Sequence, residues 1–300
     1  MSADARTRAT LIGASTVLTF SSLALLAVLS GPVPPFQMVA MAFSIAFVIG
    51  LILPLSQGRS LRRVFVHPPK IWALGIYGLF GYHFAYFTAV QNAPPVDANL
   101  INYLWPLLIV VFSALLPGER LRWYHLGGAI LGLIGCAVLV LGAERQPDAT
   151  GSVLGYGAAI SAALLWSSYS VASRRVGHVP TDAVGGFCGA TAILAALCHF
   201  ALEPTVWPSG LGWVGIVGMG LGPVGIAFFT WDHGCKHGDI RVLGALAYLT
   251  PLFSTALMIA FGYGTATPRI GAACLLIMGG ACLATRDFWA RRKPAPGAAP

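Results

Sequence analysis

The sequence predicts an all-α membrane protein of ten transmembrane helices, arranged as two inverted five-helix repeats around a central cavity. Three observations carry this. Of 300 residues, 57% are hydrophobic and only 9% charged, with a mean hydropathy of +0.77. Charge-free runs of spanning length recur along the chain, and a short motif recurs between its halves. A soluble domain carries about 25% charged residues, and with 9% there are too few charges to cover a water-facing surface. A soluble enzyme, a nucleic-acid module, a coiled coil and a disordered chain are excluded.

A bilayer-spanning helix needs about 20 apolar residues. The first charge-free run covers 9–58, and Gly31–Pro35 breaks it into helices one and two. Arg6 and Arg8 precede an apolar stretch longer than a cleaved signal's core, so it stays as helix one. The following runs, 71–96, 98–118, 123–143, 149–173, 183–202, 204–231, 242–268 and 270–285, supply helices three to ten. Barrel strands are short and alternate in polarity, and these runs are continuous. The repeats divide as 1–145 and 146–300.

Orientation follows from the basic residues. With a cytoplasmic N-terminus, the inner segments hold Arg6, Arg8, Arg59, Arg62, Arg63, Lys70, Arg120, Arg122, Arg174, Arg175, Lys236, Arg241, Arg286, Arg291, Arg292 and Lys293. Arg145 and Arg269 alone fall outside, so both termini are expected in the cytoplasm. The outer loops hold Asp97, Glu144, Asp148 and Glu203. The net charge of +8 is therefore topology rather than a nucleic-acid footprint. Five of the six cysteines (Cys136, Cys188, Cys198, Cys235, Cys274, Cys282) sit in predicted spans, and no disulfide is expected.

Tyr103-Leu104-Trp105-Pro106-Leu107 in helix four recurs as Tyr248-Leu249-Thr250-Pro251-Leu252 in helix nine. Behind them, Gly127–Leu139 aligns with Gly271–Leu283, sharing Gly135/Gly279 and Ala137/Ala281, and Phe87-Thr88 answers Phe229-Thr230. A five-helix unit repeated once must enter the membrane in opposite senses, as in transporters that rock two halves around a midplane site. On this motif and the glycine-rich helices behind it, the chain resembles the drug/metabolite transporter superfamily in its ten-helix, EamA-like form. Within it, the chain looks most like the YddG-type aromatic amino-acid exporters. The resemblance spans roughly 8–290 and implies an inner-membrane exporter with a central substrate cavity.

Polar groups inside spans are costly unless they face protein or water. The candidates are Ser15, Thr19 and Ser22 in helix one, Gln37 and Ser44 in helix two, and Tyr82, His83 and Tyr86 in helix three. Helix four adds Asn99, Asn102, Tyr103 and Trp105; helix six adds Trp166, Tyr169 and Ser170; helix nine adds Tyr248, Ser254 and Thr255. From these, Tyr82, His83, Tyr86, Asn102, Tyr103, Trp105, Trp166, Tyr169 and Tyr248 are expected to bind substrate. Trp105 and Trp166 lie near span centres, whereas Trp72, Trp123, Trp207, Trp213 and Trp289 lie near span ends and suit interfacial belts. Pro106 and Pro251 interrupt the hydrogen-bond ladder at equivalent places and are expected to act as hinges. Gly128-x-x-x-Gly132 and Gly218-x-x-x-Gly222 are expected to seat neighbouring helices in a monomer.

No Lys or Arg lies deep in a predicted span, which disfavours phosphorylated substrates. No Asp or Glu lies at mid-membrane, which disfavours carboxylate-based proton coupling. Aromatic walls, with a cation–π face for an ammonium group, suit a neutral or zwitterionic solute of amino-acid size. Specificity should be broad, since one methylene changes binding by only about 1–3 kcal/mol. The expected function is export of aromatic and other neutral amino acids and related metabolites by facilitated alternating access. The alternative is a proton-coupled drug or metabolite exporter using His83. An enzyme would need a nucleophile, base or metal set, and none is found. Asp232, His233, Cys235, His237 and Asp239, read as a short cytoplasmic turn, complete no metal geometry. No cofactor, metal or nucleic acid is expected.

Overall fold

The computed structural model describes residues 3–119, 121–141 and 152–290, and among them there is no β-strand. Arg120, Glu144, Arg145, Asp148, Arg291, Arg292, Lys293, the Trp289 side chain and the boundary between the expected repeats lie outside the described residues.

In chain order the helices begin with α1 (Ala3–Ser21), α2 (Leu23–Leu29), α3 (Pro35–Ser56) and the short α4 (Arg62–Phe65). Next come α5 (Pro69–Ile76) and α6 (Tyr82–Asn92), joined by a π-helical turn, Tyr77–Gly81. They are followed by α7 (Pro95–Asn102), α8 (Leu104–Ser113), α9 (Trp123–Val140), α10 (Val153–Arg175) and α11 (Ala183–Leu202). Then α12 (Leu211–Leu221) and α13 (Ala227–His237) flank a second π turn, Gly222–Ile226. The last are α14 (Ile240–Leu246), α15 (Leu249–Ala260) and α16 (Pro268–Ala290).

Eight segments are long and apolar enough to cross a membrane: Asp4–Leu29, Pro35–Ser56, Pro95–Ser113, Trp123–Val140, Ala183–Leu202, Leu211–His237, Ile240–Ala260 and Pro268–Asp287. Two further helical stretches, 69–92 and Val153–Arg175, match them in length but are more polar. These two carry Tyr82, His83, Tyr86, Trp166, Tyr169 and Ser170.

Helix starts follow local chemistry. Pro35, Pro69, Pro95 and Pro268 are each the first residue of a helix, where a missing N–H costs nothing and the fixed φ favours helix entry. Gly31 ends α2 at φ +67 and Gly262 follows α15 at φ +81, a left-handed turn open to glycine at little cost.

The helices pack chiefly in the pairs α1–α13, α3–α11, α6–α10, α8–α10 and α9–α16. Glycines let several pairs approach closely: Gly13 meets Gly234, Gly50 meets Gly185, and Gly128 meets Gly280. Without a hydrophobic gain from leaving lipid, such small residues let backbones come together and gain packing. Gly128 and Gly132 seat neighbours as expected, Gly132 against the Tyr248 ring. In the other motif Gly218 packs against Leu26, but a Cβ at Gly222 would meet open space, and Gly222 opens the second π turn.

Several boundaries differ from the sequence reading. Helix eight, expected over 204–231, is instead 211–237. Residues 203–210 are non-helical, held by Gln37, which donates from Nε2 to the Val206 carbonyl and accepts from the Val206 amide. At its other end the helix runs through the segment read as a cytoplasmic turn. Asp232 and Lys236 are both buried there, paired at 2.8 Å one turn apart; this neutralisation lets charges continue a spanning helix. Lys236 is thus a buried cation in the last turn of a span. Helix four ends at Ser113 rather than 118. Trp72 is half-buried with its ring edge-on to Phe187 at 5.6 Å, inside the packing rather than in a belt. Trp123, Trp207 and Trp213 are exposed. All six cysteines are unpaired.

Candidate functional site

The largest aromatic assembly sits midway along the long helices. Trp166 of α10 is 3% exposed. Around it stand Tyr82 (ring centroids 5.4 Å apart), Tyr169 (5.6 Å), Phe228 (5.6 Å), Trp231 (6.1 Å), Trp105 (6.4 Å) and Phe20 (6.4 Å). Trp105 stands nearly perpendicular to both other indoles, 83° to Trp231 and 89° to Trp166. His83 meets Tyr82 and Phe43 edge-on, each at 5.0 Å, and Phe43 stacks on Phe228 at 5.5 Å. Residues from α1, α3, α6, α8, α10 and α13 converge on one point, and such edge-to-face contacts are favoured by the ring quadrupoles.

The backbone builds this placement. A Cβ at Gly78, in the first π turn, would fall inside the Tyr169 ring. The π turn also offsets α6 against α5, so Tyr82, His83 and Tyr86 follow directly from it.

Hydroxyls and amides around the rings pair with one another. The Tyr86 hydroxyl donates to Asn99 Oδ1 at 2.8 Å, and Asn102 Nδ2 donates to the Tyr82 hydroxyl at 3.3 Å. Asn102 is buried, and its Oδ1 has no partner. His83 Nδ1 lies 2.7 Å from the Leu79 carbonyl. A carbonyl only accepts, so Nδ1 carries a proton, and in the neutral ring Nε2 is an acceptor. Trp231 Nε1 donates to Ser170 Oγ at 3.1 Å. The rings expected to line a cavity pack against each other and against Trp231, with Trp105, Trp166, Tyr169 and Trp231 all buried.

The structure therefore brings together Tyr82, His83, Tyr86, Asn102, Trp105, Trp166 and Tyr169 from the expected set. Tyr103 and Tyr248 belong to a second cluster with Val110, Cys136, Leu252 and Ile277. In the expected stripe on helix one Ser15 is exposed, and Ser15, Thr19 and Ser22 each donate to a nearby carbonyl of the same segment, at Ile12, Thr16 and Thr19. The inward residues are Thr16, bonded to Thr230 at 2.7 Å, and Phe20. Ser44 and Thr255 also bond within their own helices, and Gln37 serves the 203–206 segment. Phe20, Phe43, Phe228 and Trp231 were missed, because an apolar ring in an apolar helix carries no signal of its own. Pro106 and Pro251 each lie in the first turn of a helix, after breaks at Tyr103 and at Ala247–Tyr248, rather than bending a continuous one.

Charged groups collect at one end. Glu119 accepts from Arg6 (2.7 Å), Arg174 (3.2 Å) and Arg241 (3.2 Å); Asp239 pairs with Arg241 (2.8 Å) and Arg6 (3.1 Å). Burial alone would raise the Asp239 carboxyl, but hydrogen bonds and charge from Arg241, with Arg6, hold it below the usual carboxylate range. Arg59 and Arg63 close on Asp182 at 3.0 and 2.7 Å. This network joins α1, the α8–α9 connection, α10 and the α13–α14 turn. At the opposite end the Glu203 carboxylate accepts from the Phe36 and Gln37 amides, joining α3 to the segment after α11. There the Asn92 carbonyl accepts from the Ser152 amide and hydroxyl, joining α6 to α10. Among the described residues no group of His, Cys, Asp and Glu is arranged to hold a metal.

Comparison with known proteins places this architecture. The model of the EamA-like transporter family matches twice, over residues 8–141 and 153–286. A protein of Ancylobacter novellus described as the aromatic amino acid exporter YddG is 51% identical over 282 residues, covering 93% of this chain and 98% of its own. The Salmonella typhimurium protein of the same description is 24% identical over 262 residues, covering 83% of this chain and 87% of its own. A solved crystal structure with 50% identity superposes with a TM-score of 0.89, covering 96% of this chain and all of that one. The chain is a multi-pass membrane protein and belongs to the EamA-like transporter family.

Proposed function

We propose that the chain exports aromatic and other neutral amino acids, and related metabolites, across the inner membrane by alternating access. The single observation that carries this is the ring cluster of Trp105, Trp166 and Trp231, with Tyr82, His83 and Asn102 against it. It offers aromatic faces for a side chain or an ammonium group. Asn102 Oδ1 and His83 Nε2 are unclaimed acceptors for ammonium hydrogens. Tyr82, Tyr86 and Tyr169 complete a wall whose nearby charge, Asp232, is paired with Lys236 and so demands no charged ligand. The names of the relatives above point the same way.

The proposed frame is ten spans, adding 69–92 and Val153–Arg175 to the eight apolar ones, in inverted halves 1–145 and 146–300. Three facts support it. The family model matches the chain twice. The breaks before Pro106 and Pro251 share one local geometry, with φ and ψ of −64° and 2° at Tyr103 and −66° and −14° at Tyr248. The helix pairs exchange among themselves when the halves are swapped: α1–α13 with α6–α10, α8–α10 with α1–α15, and α3–α11 and α9–α16 each with itself. The distribution of Lys and Arg supports cytoplasmic termini, so the charged network marks the cytoplasmic gate, shut in this conformation. Pro106 and Pro251 then start the helices that swing about those two breaks. Transport runs down the substrate gradient, the chain acting as a monomer.

The test is uptake of labelled phenylalanine into proteoliposomes, with competition by unlabelled phenylalanine, threonine and N-acetylphenylalanine. The expected result is saturable uptake blocked by the two amino acids and not by the acetylated compound. Uptake blocked equally by all three would remove the ammonium group from the reading.

A further inference from the structure

Tyr248 was expected to touch substrate. Its side chain is instead fully buried outside the ring cluster, and its hydroxyl is committed. The Leu107 amide donates to that hydroxyl at 3.1 Å, and the hydroxyl donates to the Tyr103 carbonyl at 3.2 Å. Tyr103 and Leu107 are four residues apart, the spacing of one α-helical hydrogen bond. A hydroxyl from α14–α15 is thus inserted into the ladder of the helix opposite, at the break between α7 and α8. Such insertions are a recognised cause of helix kinks. The inserted turn contains Trp105, whose indole stands 5.8 Å from Trp231 and 6.4 Å from Trp166.

Two features make the insertion specific. Gly132 of α9 leaves the recess that the Tyr248 ring fills, since a Cβ there would lie 2.5 Å from its Cδ2. The arrangement is also one-sided. Tyr103 is the counterpart of Tyr248 in the repeated motif, yet among the described residues its hydroxyl bridges no gap near Pro251. The group that reaches the Tyr248 carbonyl from across the packing is the Cys136 thiol, at 4.0 Å.

We propose that Tyr248 is a positioning residue for transport: its hydroxyl holds the α7–α8 break open, so that α8 can swing about it, without touching substrate. The inference rests on the transport reading above. Removing the hydroxyl lets the Leu107 amide bond the Tyr103 carbonyl directly. This straightens the segment and slows the exchange between conformations.

The experiment measures labelled phenylalanine uptake by the full chain in proteoliposomes, for the wild type, Tyr248→Phe, Gly132→Ala and the double variant. Gly132→Ala keeps the hydroxyl but displaces the ring. The expected result is a maximal rate reduced about tenfold in each single variant, with KM within twofold of wild type. Because both act on one break, the double variant should be no slower than the worse single one. A raised KM with the rate preserved would overturn the proposal, since it is the mark of a substrate contact. Multiplying losses in the double variant would also overturn it. If Tyr248→Phe yields no folded protein, Gly132→Ala alone decides by the same KM and rate criterion. Absence of uptake by the wild type would instead sink the transport reading, which keeps the two failures distinct.

Discussion

Trp166 and Trp231 stack with ring centroids 6.1 Å apart and planes 21° from parallel, although one comes from α10 and the other from α13. Ser170, one turn beyond Trp166, accepts the Trp231 indole N–H at 3.1 Å and fixes the pair. Cutting a buried indole back to alanine costs about 3–5 kcal/mol, which would confuse folding with function. Trp166→Phe keeps the burial and loses most of the stacking area. It should raise KM for phenylalanine at least fivefold in reconstituted vesicles while leaving the yield of folded protein within twofold. Ser170→Ala leaves a buried N–H unpaired at a cost of about 1–3 kcal/mol, so it should lower the thermal midpoint in detergent by several degrees.

Asp232 and Lys236 form a buried pair on α13, with Thr181 donating to Asp232 and Lys236 donating to the Val179 carbonyl. Asp232→Asn strands a buried ammonium, and breaking such a pair costs about 3–5 kcal/mol. The variant should melt well below wild type in detergent, whereas Asp232→Leu combined with Lys236→Met should recover most of the loss. Equal melting of Asp232→Asn and wild type would show that the pair contributes nothing.

The charged network should hold the basic end shut at neutral pH. The carboxyl of Asp239 is held below its ordinary range by Arg241 and Arg6, against the effect of burial. A depressed carboxyl contributes stability above its unfolded pKa of about 3.9 and loses it as pH falls through the lower folded value. Closure should therefore be flat from pH 6 to 8 and fail only below about pH 4. Labelling of a cysteine introduced at Thr10 by a membrane-impermeant maleimide reads this, in a background with the native cysteines replaced. Asp239→Asn should raise labelling at pH 7 severalfold.

The prolines are a separate test of motion. Pro106 and Pro251 lie in the first turns of α8 and α15, after matching breaks. Pro251→Ala restores an amide donor and favours continuity with α14. It should lower the maximal transport rate more than it changes substrate affinity, as measured by uptake and by equilibrium binding of labelled phenylalanine. An unchanged rate would remove the hinge role.

The membrane class and most spans were legible because lipid demands apolar length, and the chain writes it as charge-free runs. The two matches of the family model fall one on each of the halves that carry Y-L-x-P-L. Trp105, Trp166, Tyr82 and His83 were legible as polar or amphipathic groups far from any charge. Trp231 and Phe228 were not, since an apolar ring in an apolar run gives no sign of the face it lies on. Thr16, rather than Ser15, faces inward because seven residues of polar spacing cannot fix the rotation of a helix; contact with Thr230 does. Tyr248 was misplaced because sequence shows a tyrosine in a span but not what its hydroxyl touches.

The central claim is facilitated alternating access for neutral amino acids, and counterflow tests it most directly. Proteoliposomes loaded with unlabelled threonine would be diluted into labelled phenylalanine, with and without an imposed pH gradient. The account predicts transient accumulation of label of equal size in both cases. Accumulation only with the gradient would contradict it and point to proton coupling at His83. Label that equilibrates without overshoot would indicate a channel.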